Sequence, residues 1–362
     1  MAYPSRLLAI ASAEGQGCLA LPVSLVALSL GVILLGAELF TNGIEWFGRR
    51  LRLSDGAIGS VLAAVGTALP ETMIPVIAIF GGDTEEHVSI AIGAILGAPL
   101  MLSTLAFFVT GLSVLVFARR REAGKRMTVD PAVLGRDLRS FIAAFAIAIL
   151  AILVPPGAAR HAVAVVLIGL YAFYIYRTFR HHSPEEREET LTPLRFQSKV
   201  LIPSKLAIAG QVLFALGCII AGAHIFVHYL SAIAVATGVP ALVLSVIVAP
   251  IATELPEKFN SILWVRQGKD TLAMGNISGA MVFQGSIPPA LGISFTHWQL
   301  SADAIAGAVI AVSAATLACV ELAFRRRVSP YSLLGGAVFY AAFLVYIFAI
   351  APPSAGALPA GH

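Results

Sequence analysis

GTALPE at residues 66–71 and ATELPE at residues 252–257 are the two stretches on which the fold turns. Each lies inside a long apolar run, and each places a proline directly before a glutamate. The second continues into Lys258, so three charged side chains fall within five residues. One charge at the centre of a bilayer costs roughly 2.5–3.5 kcal/mol even on a lenient insertion scale. Either these runs lie outside a membrane, or the charges have work to do there.

Composition answers the first half of that question. Of 362 residues, 58% are hydrophobic and only 12% charged, with mean hydropathy +0.87. An ordinary soluble domain carries about 25% charged residues, so this is the composition of a polytopic membrane protein. A span needs about 20 mostly apolar residues. Ten such runs are expected near 22–48, 55–80, 87–118, 138–154, 161–180, 203–232, 239–265, 271–296, 301–324 and 331–351. Cys18, Cys218 and Cys319 are isolated in apolar surroundings and read as core or lipid-facing residues. The first 20 residues read as a loose N-terminal arm.

The net charge of +4 reports topology rather than an anionic partner, and no nucleic acid is expected. Of the 24 Lys and Arg residues, 21 lie at 49–52, 119–139, 177–205, 266–269 and 325–327, which are alternate loops of the ten-span scheme. Cytoplasmic loops collect Lys and Arg. The alternation places both termini outside a cell (inner) membrane and the basic loops in the cytoplasm.

The halves repeat. GAELF at 36–40 matches GAHIF at 222–226, and TALPE at 67–71 matches TELPE at 253–257, both 186 residues apart. AIGAILG at 91–97 matches AMGNISG at 273–279, now 182 apart, the slip falling in the loop GGDTEEH. Five spans per half is an odd number, so the second half enters the membrane upside down, an organisation that marks transporters. The expected fold is all-α, with ten transmembrane helices in two inverted five-helix repeats: residues 1–180, a cytoplasmic linker at 181–202 that needs no fold of its own, and residues 203–351.

The repeated motif carries the chemistry. Pro70 and Pro256 have no N–H and clash with the preceding turn, which frees the carbonyls of Gly66 and Ala252 and loosens those of Thr67 and Thr253. Freed carbonyls in a membrane need a partner, and a cation can serve. With Glu71 and Glu257, the two half-sites make an oxygen-rich cage near the midplane, suited to a hard cation such as Ca2+, which takes 6–8 oxygen ligands. Asn260 and Ser261, about one turn beyond Glu257, are further candidates for the ion. Glu254 and Lys258 stand four residues apart and leave two readings open: a carboxylate added to the pocket with a lysine balancing its charge, or a self-neutralising pair. Gly93 and Gly97, like Gly275 and Gly279, suit close helix packing. His224 and His228 lie four apart on span 6, a spacing that could bind a metal, and are assigned to packing or interface roles.

GTALPE with AIGAILG, and ATELPE with AMGNISG, resemble the two alpha-repeats of the sodium/calcium exchanger family within the calcium/cation antiporter superfamily. The likeness extends to GAELF and GAHIF and to the five-plus-five plan. It implies an antiporter in which Glu71 and Glu257 ligate Ca2+, Thr67 and Thr253 line the same pocket, and spans 1 and 6 slide to alternate access. Where family members have serine after the threonine, this chain has Ala68 and Glu254. Their GSN or GSD triplets are replaced by Gly97-Ala98-Pro99 and Gly279-Ala280-Met281. Asn276, Ser278 and Gln284 offer substitute oxygens in the second half only.

The functional expectation is a secondary antiporter moving Ca2+ in exchange for Na+ or H+, a monomer in the lipid bilayer with cations as substrates and no cofactor. Crowded carboxylates with few sodium ligands also suit proton exchange. The alternatives are exchange of another cation, Mg2+ or K+, and a non-transporting membrane scaffold. No nucleophile is paired with a base, so an enzyme is not expected.

Overall fold

In a computed structural model, residues 20–51, 57–68, 71–72, 75–76, 79–80, 85–180, 192–237 and 254–350 are described. Pro70, Ala252 and Thr253 lie outside these residues, as do Cys18, the first residues of the acidic loop at 81–84 and both termini. Among the described residues there is no strand.

Ten spans are represented. α1 is Ala20–Arg50 and α2 is Ile58–Thr67; short helical pieces at 71–72, 75–76 and 79–80 continue the second span. α3 is Glu85–Met101, carried through a π-turn at Leu102–Ala106 into Phe107–Val116. α4 (Pro131–Leu150), α5 (Ala158–Arg180) and α6 (Lys205–Thr237) follow. α7 is Leu255–Arg266, α8 Asp270–Gln284 and α9 Ile287–Phe295. α10 (Ala302–Arg325) and α11 (Pro330–Val345) complete the chain.

Local chemistry sets the boundaries. Asp130 caps α4 by accepting from the Ala132 amide at 2.7 Å, with Pro131 in the first turn where its missing N–H costs nothing. Ser301 and Ser329 cap α10 and α11 in the same way. Gly268, at φ +80°, turns α7 into α8 in a conformation that side chains rarely adopt.

The expected single span at 271–296 is in fact two helices, α8 and α9, broken at Gly285–Ser286. Pro288 and Pro289 supply the reason, since neither can donate the hydrogen bond a continuous helix requires. Moved by the repeat offset of 182, this break falls on the π-turn at Leu102–Ala106 of α3. The two halves are therefore interrupted at the same place.

Packing obeys the same symmetry. α1 lies along α6, α4 lies against α10, and α5 covers α9 as α11 covers the second half of α3, while α2 packs on α8 and α7 on both α8 and the second half of α3. Gly36 of the GAELF motif faces Ala215, Cys218 and Ile219, and a Cβ there would come within 3.0–3.1 Å of them. Gly222 of GAHIF faces Ser29 and Ile33, the positions 186 residues earlier, at 2.7–3.2 Å. Each motif glycine thus lets the opposite helix approach.

α8 is the central helix, with every residue from Asp270 to Gln284 buried except Thr271. The most apolar windows of α1, α5 and α6 are only 28% buried, against 67% for α3. Apolar side chains left on the outside of such a bundle have lipid as their natural solvent.

Loops expected to share a face touch one another. Arg121, after α3, makes a bidentate pair with Asp270 at the start of α8, at 2.6 and 2.7 Å. Arg50 donates to the Pro203 carbonyl, while Arg160 bonds the carbonyls of Val154 and His297 at the other end.

The linker departs from expectation where it is described. Residues 192–202 include a short 3₁₀ turn at Arg195–Gln197 and are fastened down. Asn42 and Trp46 of α1 donate to Thr192, Asn42 accepts from the Arg195 amide, and Gln211 of α6 accepts from the Phe196 amide. Leu194 is fully buried. This stretch is held to α1 and α6 chiefly through its backbone.

Candidate functional site

α2 ends at Thr67, and α7 begins at Leu255 with Pro256 in its first turn. In the second half, then, the motif proline starts a helix rather than kinking its middle. Both half-motifs meet against α8. The Thr67 hydroxyl donates to the Ala63 carbonyl at 3.0 Å and lies 3.4 Å from Asn276 Oδ1. Asn276 Nδ2 donates to the main-chain carbonyl of Glu257 at 3.2 Å. Gln284 Nε2 donates to the Ala68 carbonyl at the frayed end of α2, 3.3 Å away.

Glu71, Glu254 and Glu257 are all buried, and their carboxylates are within electrostatic reach of one another. Thr67 sits at the Glu257 carboxylate. Among the described residues seven buried polar side-chain atoms have no hydrogen-bond partner, and four of these are carboxylate oxygens of this group: both of Glu71, Oε1 of Glu254 and Oε2 of Glu257. A buried carboxylate oxygen without a donor is costly. Here four such oxygens come from both halves of the chain.

Lys258 Nζ holds the other Glu254 oxygen at 2.7 Å, with both side chains buried. The two readings of this pair are therefore compatible: Glu254 is paired through Oε2 and keeps Oε1 free. Asn260 faces Thr41 of α1 at 2.5 Å, and its Nδ2 has no partner. The buried Tyr340 hydroxyl of α11, close enough to Glu254 to feel its charge, is likewise unpartnered. A cavity of about 250 Å³ opens between α1 and α7, lined by Glu38, Thr41, Asn42, Glu45 and Gln267 among others. Thr41 thus lines this cavity while holding Asn260, one turn past Glu257.

Of the expected site residues, Thr67, Glu71, Glu254, Glu257 and Asn276 converge. Gly66 lies beside them, but packing also explains it: a Cβ there would fall 2.5 Å from the Phe40 ring. Thr253 and Ala252 are outside the described residues. Ser261 is spent on helix packing, donating to the Ala273 carbonyl at 3.1 Å. Ser278 belongs to a different cluster. Its hydroxyl donates to Asp137 Oδ2 at 2.8 Å, beside Ser60 at 2.5 Å, while Arg136 holds Oδ1.

Asp137 is fully buried and ties α2, α4 and α8 together, yet nothing in the repeat marks it. Gly275 and Gly279 serve that same junction: a Cβ on Gly279 would lie 2.1 Å from the Ser60 carbonyl oxygen. Nothing among the described residues lies within 4 Å of such an atom on Gly93 or Gly97. His224 is exposed, the His228 side chain is outside the described residues, and no group of His, Cys, Asp and Glu with metal-site geometry occurs among the described residues.

The family model described as sodium/calcium exchanger protein matches residues 21–180 and 207–351. The chain belongs to the sodium/calcium exchanger family. That is a family of membrane cation antiporters, and the ten-helix inverted plan is its fold. Among its relatives, CaxA of Alkalimonas amylolytica, named as a candidate antiporter, is 25% identical over 329 residues, 90% of this chain and 97% of that one. An uncharacterized membrane protein of Methanocaldococcus jannaschii is 25% identical over 324 residues, 88% and 95% of the two chains. Solved structures of the sodium-calcium exchanger NCX_Mj share the fold. The form soaked with 2.5 mM Na+ and 0.1 mM Ca2+ superposes with a TM-score of 0.67 at 21% identity, covering 93% of this chain and 99% of that one. The form soaked with zero Na+ and Ca2+ gives 0.67 at 21%, covering 91% and 98%.

Proposed function

We propose that this exchanger carries Ca2+ across the membrane in exchange for Na+ or H+, by alternating access at the cluster of Glu71, Glu254 and Glu257. One observation carries the reading: four buried carboxylate oxygens from both halves have no donor. Ca2+ accepts six to eight oxygens in flexible geometry, whereas Mg2+ demands a strict octahedron and sheds water reluctantly. Carboxylates placed between the end of one helix and the start of another, with carbonyls close by, fit the larger ion. The cavity beside Thr41 supplies a route from the end of the molecule that bears the basic loops, which the charge bias assigns to the cytoplasm.

Uptake of radioactive Ca2+ by proteoliposomes, driven by a Na+ gradient or by a pH gradient, tests this. Uptake under at least one gradient, lost in Glu71→Gln, is the expected result. Absence of uptake under both overturns the reading.

A further inference from the structure

Six acidic side chains are buried among the described residues: Glu45, Glu71, Asp137, Glu254, Glu257 and Asp270. Three have a private cation outside the cluster. Lys269 holds Glu45 at 3.0 Å, Arg136 holds Asp137 at 2.9 Å and Arg121 holds Asp270 at 2.6 Å. Arg160 is spent on main-chain carbonyls at a distant loop. The sequence of the undescribed stretch 238–253 contains no charged residue. Among the described residues the charge of the cluster is therefore set by four side chains: as carboxylates Glu71, Glu254 and Glu257 bring three negative charges, and Lys258 returns one positive.

We propose that Lys258 is a built-in counter-cation that sets the exchange site to a net charge of −2, so that one divalent cation or two monovalent cations neutralise it and each turnover moves no net charge. A net charge in hydrocarbon is costly, so filling the site to neutrality lowers the cost of its passage. Lys258 takes the place that a third monovalent cation would hold beside three carboxylates. Its ammonium occupies one Glu254 oxygen and leaves the other free, which balances the charge while keeping an oxygen for cargo. This rests on the reading of the cluster as the exchange site.

The test is Ca2+ uptake into proteoliposomes whose membrane potential is clamped with a potassium ionophore. One net charge per cycle at about 100 mV shifts the plateau accumulation ratio about 50-fold. The wild-type plateau is expected to stay within about twofold at that potential, on the scale of that shift; a 50-fold movement overturns the proposal. Lys258→Gln leaves one negative charge unmatched by Ca2+. It is expected either to become potential-sensitive or to require a monovalent cation on the Ca2+ side of the membrane. A Lys258→Gln protein that does neither overturns the proposal and leaves the lysine a packing residue.

Glu254→Gln/Lys258→Gln restores −2 without a buried unpaired charge and keeps the idea testable if the single variant does not fold. It is expected to transport without potential dependence, and a potential-dependent double variant overturns the proposal. Absence of wild-type uptake under every gradient overturns the Ca2+ reading itself, and this inference with it, whereas potential-sensitive wild-type uptake overturns only the inference.

Discussion

Thr41 Oγ1 lies 2.5 Å from Asn260 Oδ1, joining the first span to the helix that carries Glu257. The Thr41 hydroxyl has one proton and two acceptors, because the Ala37 carbonyl stands 2.8 Å away on its own helix. Asn260 Nδ2 meanwhile has no acceptor. Asn260→Ala leaves Thr41 satisfied by Ala37, so the expected cost is about 1 kcal/mol of stability. It removes no carboxylate, and Ca2+ affinity should fall less than about tenfold, within the roughly 1.4 kcal/mol that one neutral hydrogen-bonding group contributes. Thermal unfolding with and without Ca2+ measures both effects, and loss of all Ca2+ stabilisation would place Asn260 among the essential ligands.

Glu71 should show the opposite pattern. Both of its oxygens are buried without a donor, so Glu71→Gln is expected to raise the stability of the ion-free protein by about 1–3 kcal/mol. The same change should abolish Ca2+-dependent stabilisation, which in wild type reaches about 2.7 kcal/mol at one hundred times Kd. Chemical or thermal unfolding of the purified variant across a Ca2+ titration decides it. A variant that is less stable than wild type without ions contradicts the view that the donor-less Glu71 carboxylate costs stability.

Glycines inside helices should divide by sign. Gly279→Ala drives a methyl to 2.1 Å from the Ser60 carbonyl oxygen, backbone against backbone, with an expected loss of 2 kcal/mol or more, about the upper range for overpacking. On α5, Gly169 meets nothing within 4 Å, and Gly169→Ala should gain about 0.5–1 kcal/mol from helix propensity. Unfolding midpoints of the two variants provide the comparison.

The pair of Arg121 and Asp270 is fully buried, and Asp270 also accepts from the Thr128 amide at 2.7 Å. Arg121→Ala strands that carboxylate, and the expected loss is about 3–5 kcal/mol. Reduced yield of folded protein, together with a lowered unfolding midpoint, checks it. A change below about 1 kcal/mol would mean that the pair behaves as a solvent-exposed one.

The parts of this molecule that were legible in its sequence are those written twice. The glutamates at 71 and 257 and the glycines at 36 and 222 follow from the repeat, and both pairs have their counterpart in the structure. Asp137 was not legible because its partners Ser60 and Ser278 are 77 and 141 residues away. At the edge of an apolar run it reads as an interfacial charge. The same blindness assigned Ser278 to the ion, since spacing along α8 does not reveal which neighbour claims a hydroxyl. The break at Gly285–Ser286 did leave a signal, the pair Pro288-Pro289, which a count of apolar residues passes over. The fastening of residues 192–202 left none, because backbone amides bonded to Asn42 and Gln211 depend on no particular linker side chain.

That fastening has a mechanical consequence. Asn42 and Gln211 bond each other at 2.9 Å while each also grips the strap that runs from Thr192 to Phe196. Gln211 reaches the Leu39 carbonyl as well. Sliding α1 past α6 would have to tear this clasp, whereas shifting both together asks mainly for the release of Thr41 from Asn260 and of Glu45 from Trp264 and Lys269. Hydrogen bonds thus bridge the two long helices directly and again through residues 192–196, so the strap is a brace common to both.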